Sequence, residues 1–145
     1  MSAGDLLTLS VANDLAALPG VAAALETFGA GHGLPGRMVR RFTLALEEVL
    51  TNVISYAFPD GGRHDIEVRI AWRDGSLQAT VSDDGTAFDP LSRPVPDLHL
   101  PVEQRSVGGL GIHLLRRLTD AADYRREGGR NVLTFSMRAG KPTGS

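Results

Sequence analysis

The chain has 145 residues, 42% hydrophobic and 22% charged, and its 15 Lys and Arg against 17 Asp and Glu give a net charge of -2. That length suits one domain with a real core, and the balanced charge excludes the basic surface needed to neutralise nucleic-acid phosphates. There is no cysteine, hence no disulfide, thiolate metal site or cysteine nucleophile, and no run nears the roughly 18 apolar residues of a membrane helix. The start Met1-Ser2-Ala3-Gly4-Asp5 lacks the basic opening of a secretory signal, so the expectation is a cytoplasmic domain with neither nucleic acid nor membrane as partner.

Residues 6–11 read as a short strand, followed by Asn13-Asp14, whose side chains suit capping or turning. A helix is predicted over about 19–28, opened by Pro19 and stopped by Gly29, Gly31 and Gly33. The clearest helix follows, with Phe42, Ala45, Leu46, Val49, Leu50, Val53, Ile54 and Ala57 at the spacing of one buried face. It ends before Pro59-Asp60-Gly61-Gly62. Ile66, Val68, Ile70 and Trp72, then Leu77, Ala79 and Val81, alternate with polar residues as half-buried strands do, with Asp74-Gly75 as the tight turn between them. Trp72 closes its strand and reads as core.

From 83 to 107 the pattern breaks at Pro90, Pro94, Pro96 and Pro101, which predicts a long loop of the functional-lid kind. Gly108-Gly109-Leu110-Gly111 opens another helix carrying Ile112, Leu114, Leu115 and Leu118. Strands around 122–126 and 131–137 flank Glu127-Gly128-Gly129-Arg130, and 139–145 reads as a disordered tail after a single domain over 1–138. This order predicts an α+β fold, a two-layer α/β sandwich whose mixed, mostly antiparallel sheet has helices on one face.

Three places could carry chemistry. Opposite the long helix's apolar face run Glu48, Thr51, Asn52 and Ser55, with Glu48 and Asn52 one turn and about 40° apart, so both can address one site. An ordinary solvated face produces the same pair, although Asn is a poor helix former among aliphatic neighbours, and carboxamide and carboxylate oxygens suit Mg²⁺. Asp83-Asp84-Gly85-Thr86-Ala87 lies where a buried strand ends. A carboxylate there can accept adenine's amino hydrogens and Gly85 admits close approach, but Asp-Gly is also a common turn pair. Gly108 to Gly111 offers backbone N–H groups at a helix start where phosphates could dock, as steric need alone also would; it matches neither the P-loop nor the dinucleotide fingerprint.

Glu-x-x-x-Asn on a helix, Asp-x-Gly after a strand and Gly-Leu-Gly opening a helix, in that order, resemble the superfamily shared by DNA gyrase, heat-shock chaperone ATPases, sensor histidine kinases and mismatch-repair ATPases. Within it the chain is most similar to the small bacterial anti-sigma-factor serine kinases of the RsbW type. The likeness runs over about 6–137 and includes Glu48-Val49-Leu50-Thr51-Asn52 and Glu127-Gly128-Gly129-Arg130-Asn131-Val132-Leu133-Thr134. The resemblance implies a Bergerat ATP-binding fold with ATP and Mg²⁺ as cofactors. It casts Glu48 as general base, Asn52 as the metal ligand, Asp83 and Gly85 at the adenine, Gly108, Gly109, Leu110 and Gly111 at the phosphates, and Thr134 beside Asp83 through water. Ala87 stands where the first glycine box usually has its second glycine, and Val107 where the second box often opens with one, which puts ATP affinity in doubt more than fold. Arg105 is retained as a phosphate candidate, while Arg116 and Arg117 fit a solvated basic face equally well. His32, His64, His99 and His113 show no metal-ligand spacing and read as surface or boundary residues.

The leading functional reading is an ATP-dependent serine/threonine kinase that phosphorylates a small antagonist protein. Resemblance adds partner switching, in which the same protein sequesters a sigma factor or another regulator, and relatives of this type commonly dimerise. The alternative is a nucleotide-binding regulatory module that sequesters a partner without phosphoryl transfer; Glu48 favours the kinase. A sensor histidine kinase fragment is disfavoured because this length leaves no room for a phospho-acceptor helix pair.

Overall fold

The computed structural model describes residues 5–92 and 115–139. Its elements run β1 (Leu6–Ala12), α1 (Leu18–Gly31), α2 (Gly36–Tyr56), β2 (Asp65–Arg73), β3 (Ser76–Asp83), β4 (Ala121–Glu127) and β5 (Arg130–Arg138), with short 3-10 turns at Leu15–Ala17 and Pro90–Ser92. Residues 115–118 are helical. The five strands form one sheet in the order β1-β2-β3-β5-β4. Every described pair is antiparallel, so the expected mixed sheet is corrected to a wholly antiparallel one. Both hairpins are as tight as their sequences imply: Asp74 (φ 52°) with Gly75 (φ 74°), and Gly128 (φ 58°) with Gly129 (φ 76°), give the doubly positive φ of a turn whose twist matches the strands it joins.

Period-two alternation decides which side of the sheet is covered. Ile66, Val68 and Ile70 of β2, Leu77, Ala79 and Val81 of β3, and Leu133, Phe135 and Met137 of β5 are buried together with Phe42, Ala45, Leu46, Val49, Leu50 and Val53 of α2. Their sheet neighbours, such as Glu67, Arg69 and Gln78, point the other way and are exposed. The helices therefore lie on one face, making the two-layer α+β sandwich. Trp72 is half-buried against this core. No described helix is long and apolar enough to cross a membrane.

The first helix runs past both ends of the range expected from the sequence. Gly29 lies inside α1, which runs on to Gly31, because glycine is needed there for packing: a Cβ at Gly29 would sit 2.5 Å from Val39 Cγ2 of α2. The stop is Gly33 (φ 67°), past which the Leu34 N–H donates to the Gly29 carbonyl at 2.9 Å, the reverse-turn cap that only glycine adopts easily. The second helix, for which the sequence reading set no start, begins at Gly36 directly after Pro35. Asp14 does cap the turn after β1, its Oδ1 accepting the Ala16 N–H at 3.0 Å. Asn13 instead ties the end of β1 to the loop before β2, accepting from the His64 N–H at 2.9 Å and donating to the Gly62 carbonyl at 2.9 Å.

Candidate functional site

The polar residues of α2 do not share one environment. Ser55 is exposed, Thr51 returns its hydroxyl to the Glu47 carbonyl at 2.7 Å, and Asn52 is wholly buried. Asn52 Nδ2 donates to the Glu48 carbonyl at 2.8 Å, which fixes the amide and turns its Oδ1 away from the helix backbone. That oxygen has no hydrogen-bond partner among the described residues, a costly state for a buried acceptor and the one expected of a group that serves a ligand. One turn earlier Glu48 is half-buried, and burial, then the charge of Glu47, raises its carboxyl above the ordinary glutamate range. A half-desolvated carboxylate beside an unpaired amide oxygen can take a proton and hold a hard cation.

The last residue of β3 completes the site from the sheet. Asp83 is 1% exposed, and two donors hold the same oxygen: the Gly85 N–H reaches Oδ1 at 2.8 Å and Asn131 Nδ2 reaches it at 2.9 Å. Oδ2 takes part in neither bond. Gly85 is pressed against the end of α2, where a Cβ would stand 2.3 Å from the Ala57 carbonyl oxygen, and the next N–H, of Thr86, donates to that same oxygen at 2.8 Å. Ala57 follows Asn52 by five residues, about 7.5 Å along the helix axis, so this contact brings the Asp83 loop to the end of α2 that carries Asn52 and Glu48.

Asn131 is the residue that sequence reasoning missed. It is 4% exposed, and besides Asp83 its amide donates to the Thr86 carbonyl at 2.8 Å. Its Oδ1 accepts from the Phe88 N–H at 3.0 Å, the Tyr124 hydroxyl at 2.6 Å and Arg126 Nη1 at 3.2 Å, and Arg126 also donates to the Gly85 carbonyl at 2.8 Å. The only sequence signal was a polar residue at the inward-facing start of an alternating strand. Thr134, assigned to the adenine by resemblance, needs correcting. The β3–β5 register pairs Asp83 with Asn131 and Thr80 with Thr134, so Thr134 lies on the sheet face opposite Asp83, while Leu133 and Phe135 on either side of it enter the core.

His64 is a second omission, read as a mere boundary residue. Its ring stacks on Phe58 at 4.6 Å, with Nε2 3.0 Å from Asp60 Oδ2 and Nδ1 3.0 Å from Asp84 Oδ1. Those contacts, chiefly with Asp60, raise its pKa, while the Gly62 N–H and then His64 lower that of Asp60. Ala87 is exposed on the loop that Asn131 holds. Arg105, Val107, Gly108, Gly109, Leu110, Gly111, His99 and His113, most of the expected lid and the tail after 139 lie outside the described residues.

A model of the histidine kinase-like ATPase domain matches residues 11–137. The chain is similar to BtrW of Bordetella bronchiseptica, named a serine/threonine-protein kinase, at 33% identity over 101 residues, covering 68% of this chain and 71% of that protein. It is also similar to RsbW of Bacillus velezensis, named a serine-protein kinase, at 31% identity over 94 residues, covering 61% of this chain and 58% of the relative. Among solved structures the fold matches the RsbU and RsbW domains of a Mycobacterium tuberculosis protein, with TM-score 0.64 and 20% identity over 92% of this chain and 32% of that one. It likewise matches the SiaB-SiaC complex from Pseudomonas aeruginosa, with TM-score 0.57 and 17% identity over 92% of this chain and 91% of the matched chain. The matched span holds Glu48, Asn52, Asp83 and the sheet from the end of β1 to Met137, and on that ground the chain belongs to the histidine kinase-like ATPase domain family, beside its RsbW-type serine kinases.

Proposed function

We propose that the protein is an ATP-dependent serine/threonine kinase that phosphorylates a small antagonist protein and, by partner switching, sequesters a sigma factor or a similar regulator. One nucleotide-binding domain over 1–138 acts in the cytoplasm. The observation that carries this reading is the unpaired, buried Oδ1 of Asn52 one turn from a glutamate whose proton affinity is raised. Asn52 Oδ1, a buried hard oxygen without a partner among the described residues, would hold Mg²⁺, which would supply charge neutralisation at the ATP phosphates. Asp83 Oδ2 accepts from the adenine amino group, and Gly85 serves it by packing the loop against Ala57 and donating its N–H to Asp83 Oδ1. Gly108, Gly109, Leu110, Gly111 and Arg105 are assigned to the phosphates from the sequence alone.

In transfer, Glu48 accepts the proton of the substrate serine while its oxygen bonds to the γ-phosphorus and the bond to the β-phosphate oxygen breaks, releasing ADP. The names of the relatives support serine or threonine as the acceptor. The test is incubation with labelled ATP, Mg²⁺ and small antagonist-like proteins encoded nearby, then mapping of the labelled residue. Label on a serine or threonine that disappears with Glu48→Gln is the expected result. Tight nucleotide binding with no transfer to any of them would leave a sequestering module in place of a kinase.

A further inference from the structure

We infer that Asn131, braced by Tyr124 and Arg126 of the neighbouring strand, is a positioning residue that restricts Asp83 to a single accepting oxygen and so sets the preference for a 6-amino purine. The inference rests on the nucleotide reading above and concerns residues that reading does not use. A free carboxylate has two equivalent oxygens and rotates between them; here Oδ1 is saturated by the Gly85 N–H at 2.8 Å and Asn131 Nδ2 at 2.9 Å, so the plane of the group is fixed and Oδ2 has one direction. Asn131 itself cannot flip, because its Oδ1 takes three donors and its Nδ2 faces two acceptors, Asp83 and the Thr86 carbonyl. The same amide holds residues 86 and 88, so the loop that would flank the purine is anchored to the group that would read it. An acceptor fixed in this way welcomes the 6-amino group of adenine and repels the 6-oxo group of hypoxanthine, since an acceptor facing an acceptor leaves both unpaired.

Asn131→Asp tests this without changing shape: it keeps the oxygen that accepts from Tyr124 and Arg126 but sets a carboxylate against Asp83. Tyr124→Phe loosens the brace while leaving every backbone bond, and serves if Asn131→Asp does not fold. Affinities for ATP and for inosine triphosphate are measured by titration calorimetry on the parent, both variants and Asp83→Asn, with thermal unfolding recorded for each. The expected result is a fall of about tenfold in ATP affinity for Asn131→Asp, a smaller fall for Tyr124→Phe, and for both a reduced ratio of ATP to inosine triphosphate affinity. A purely structural role would weaken both nucleotides equally. An unchanged ratio in both variants, with the ratio lost in Asp83→Asn, overturns the role of Asn131 and spares the adenine reading. A parent that shows no preference for ATP removes both.

Discussion

On the proposed function the two polar residues on one turn of α2 divide the chemistry, and single substitutions separate them. Glu48→Gln is expected to leave ATP affinity within a few-fold and to cut transfer by about 10²–10⁴, the loss typical of a missing general base, in single-turnover assays at saturating ATP. Asn52→Ala should weaken Mg²⁺-nucleotide binding and transfer together, since it deletes the metal's oxygen. The pH profile carries the sign of the Glu48 shift: a base works ionised, and burial raises its pKa, so the parental rate falls on acidification earlier than it would for a free glutamate. Glu47→Gln removes the like charge that adds to the shift and should move that limb to lower pH with the plateau unchanged. The raised pKa also means that ionised Glu48 costs stability: its contribution is full below the unfolded pKa and is lost as pH rises through the folded one. Glu48→Gln should therefore unfold at a slightly higher temperature than the parent at neutral pH, even as it loses activity.

Between elements, the decisive contact is the end of α2 against the loop after β3. Gly85→Ala would force a methyl to 2.3 Å from the Ala57 carbonyl oxygen and cost about 1–3 kcal/mol or more, read as a lower denaturation midpoint together with lost nucleotide affinity. His64 clasps the same two segments, and both its ring nitrogens face carboxylates that only accept, so the imidazolium alone satisfies both. Its raised pKa means that the stabilisation is fully present below the unfolded histidine value and is lost as pH rises through the folded one. The lowered pKa of Asp60 sets the acid limit, where the contribution fades as pH falls through that value. The difference in melting temperature between the parent and His64→Gln should therefore be largest in mildly acid buffer and shrink above neutrality; a constant difference would show that the clasp does not titrate. These pairings also mark where the sequence stops being readable. Periodicity locates α2, the first hairpin and the inward residues of β2 and β3, and it puts Glu48 and Asn52 on one turn, because those are properties of neighbouring residues. Thr134 and Asn131 were exchanged because their roles depend on the register between strands distant in the chain, which alternation alone leaves undetermined, and Gly29 read as a stop because its neighbour Val39 belongs to another helix.

At the scale of the molecule, a bound nucleotide would bridge the helical layer through Asn52 and the sheet through Asp83. Ligand that binds only the folded state stabilises it by about 2.7 kcal/mol at a hundredfold excess over Kd, which for a chain of this size raises Tm by roughly 5–10 °C. Scanning calorimetry with ATP and Mg²⁺ should show that rise in the parent and little of it in Asp83→Asn. Asp83 and Asn131 are separated by 48 positions, and Asn131 belongs to β5, the last of the described strands. The glycine motifs and the helix proposed to carry the base precede that strand in the chain, yet Asp83, proposed to read the adenine, has only the Gly85 N–H to hold it until β5 pairs with β3. On the ribosome, where the chain emerges from its N-terminus, the site would be completed only after α2: a growing polypeptide could hold a finished α2 and remain blind to adenine until the β4–β5 hairpin has emerged and docked. Nucleotide binding would then report that the β4–β5 hairpin has docked, separating molecules with a paired β5 from those that carry only the earlier motifs.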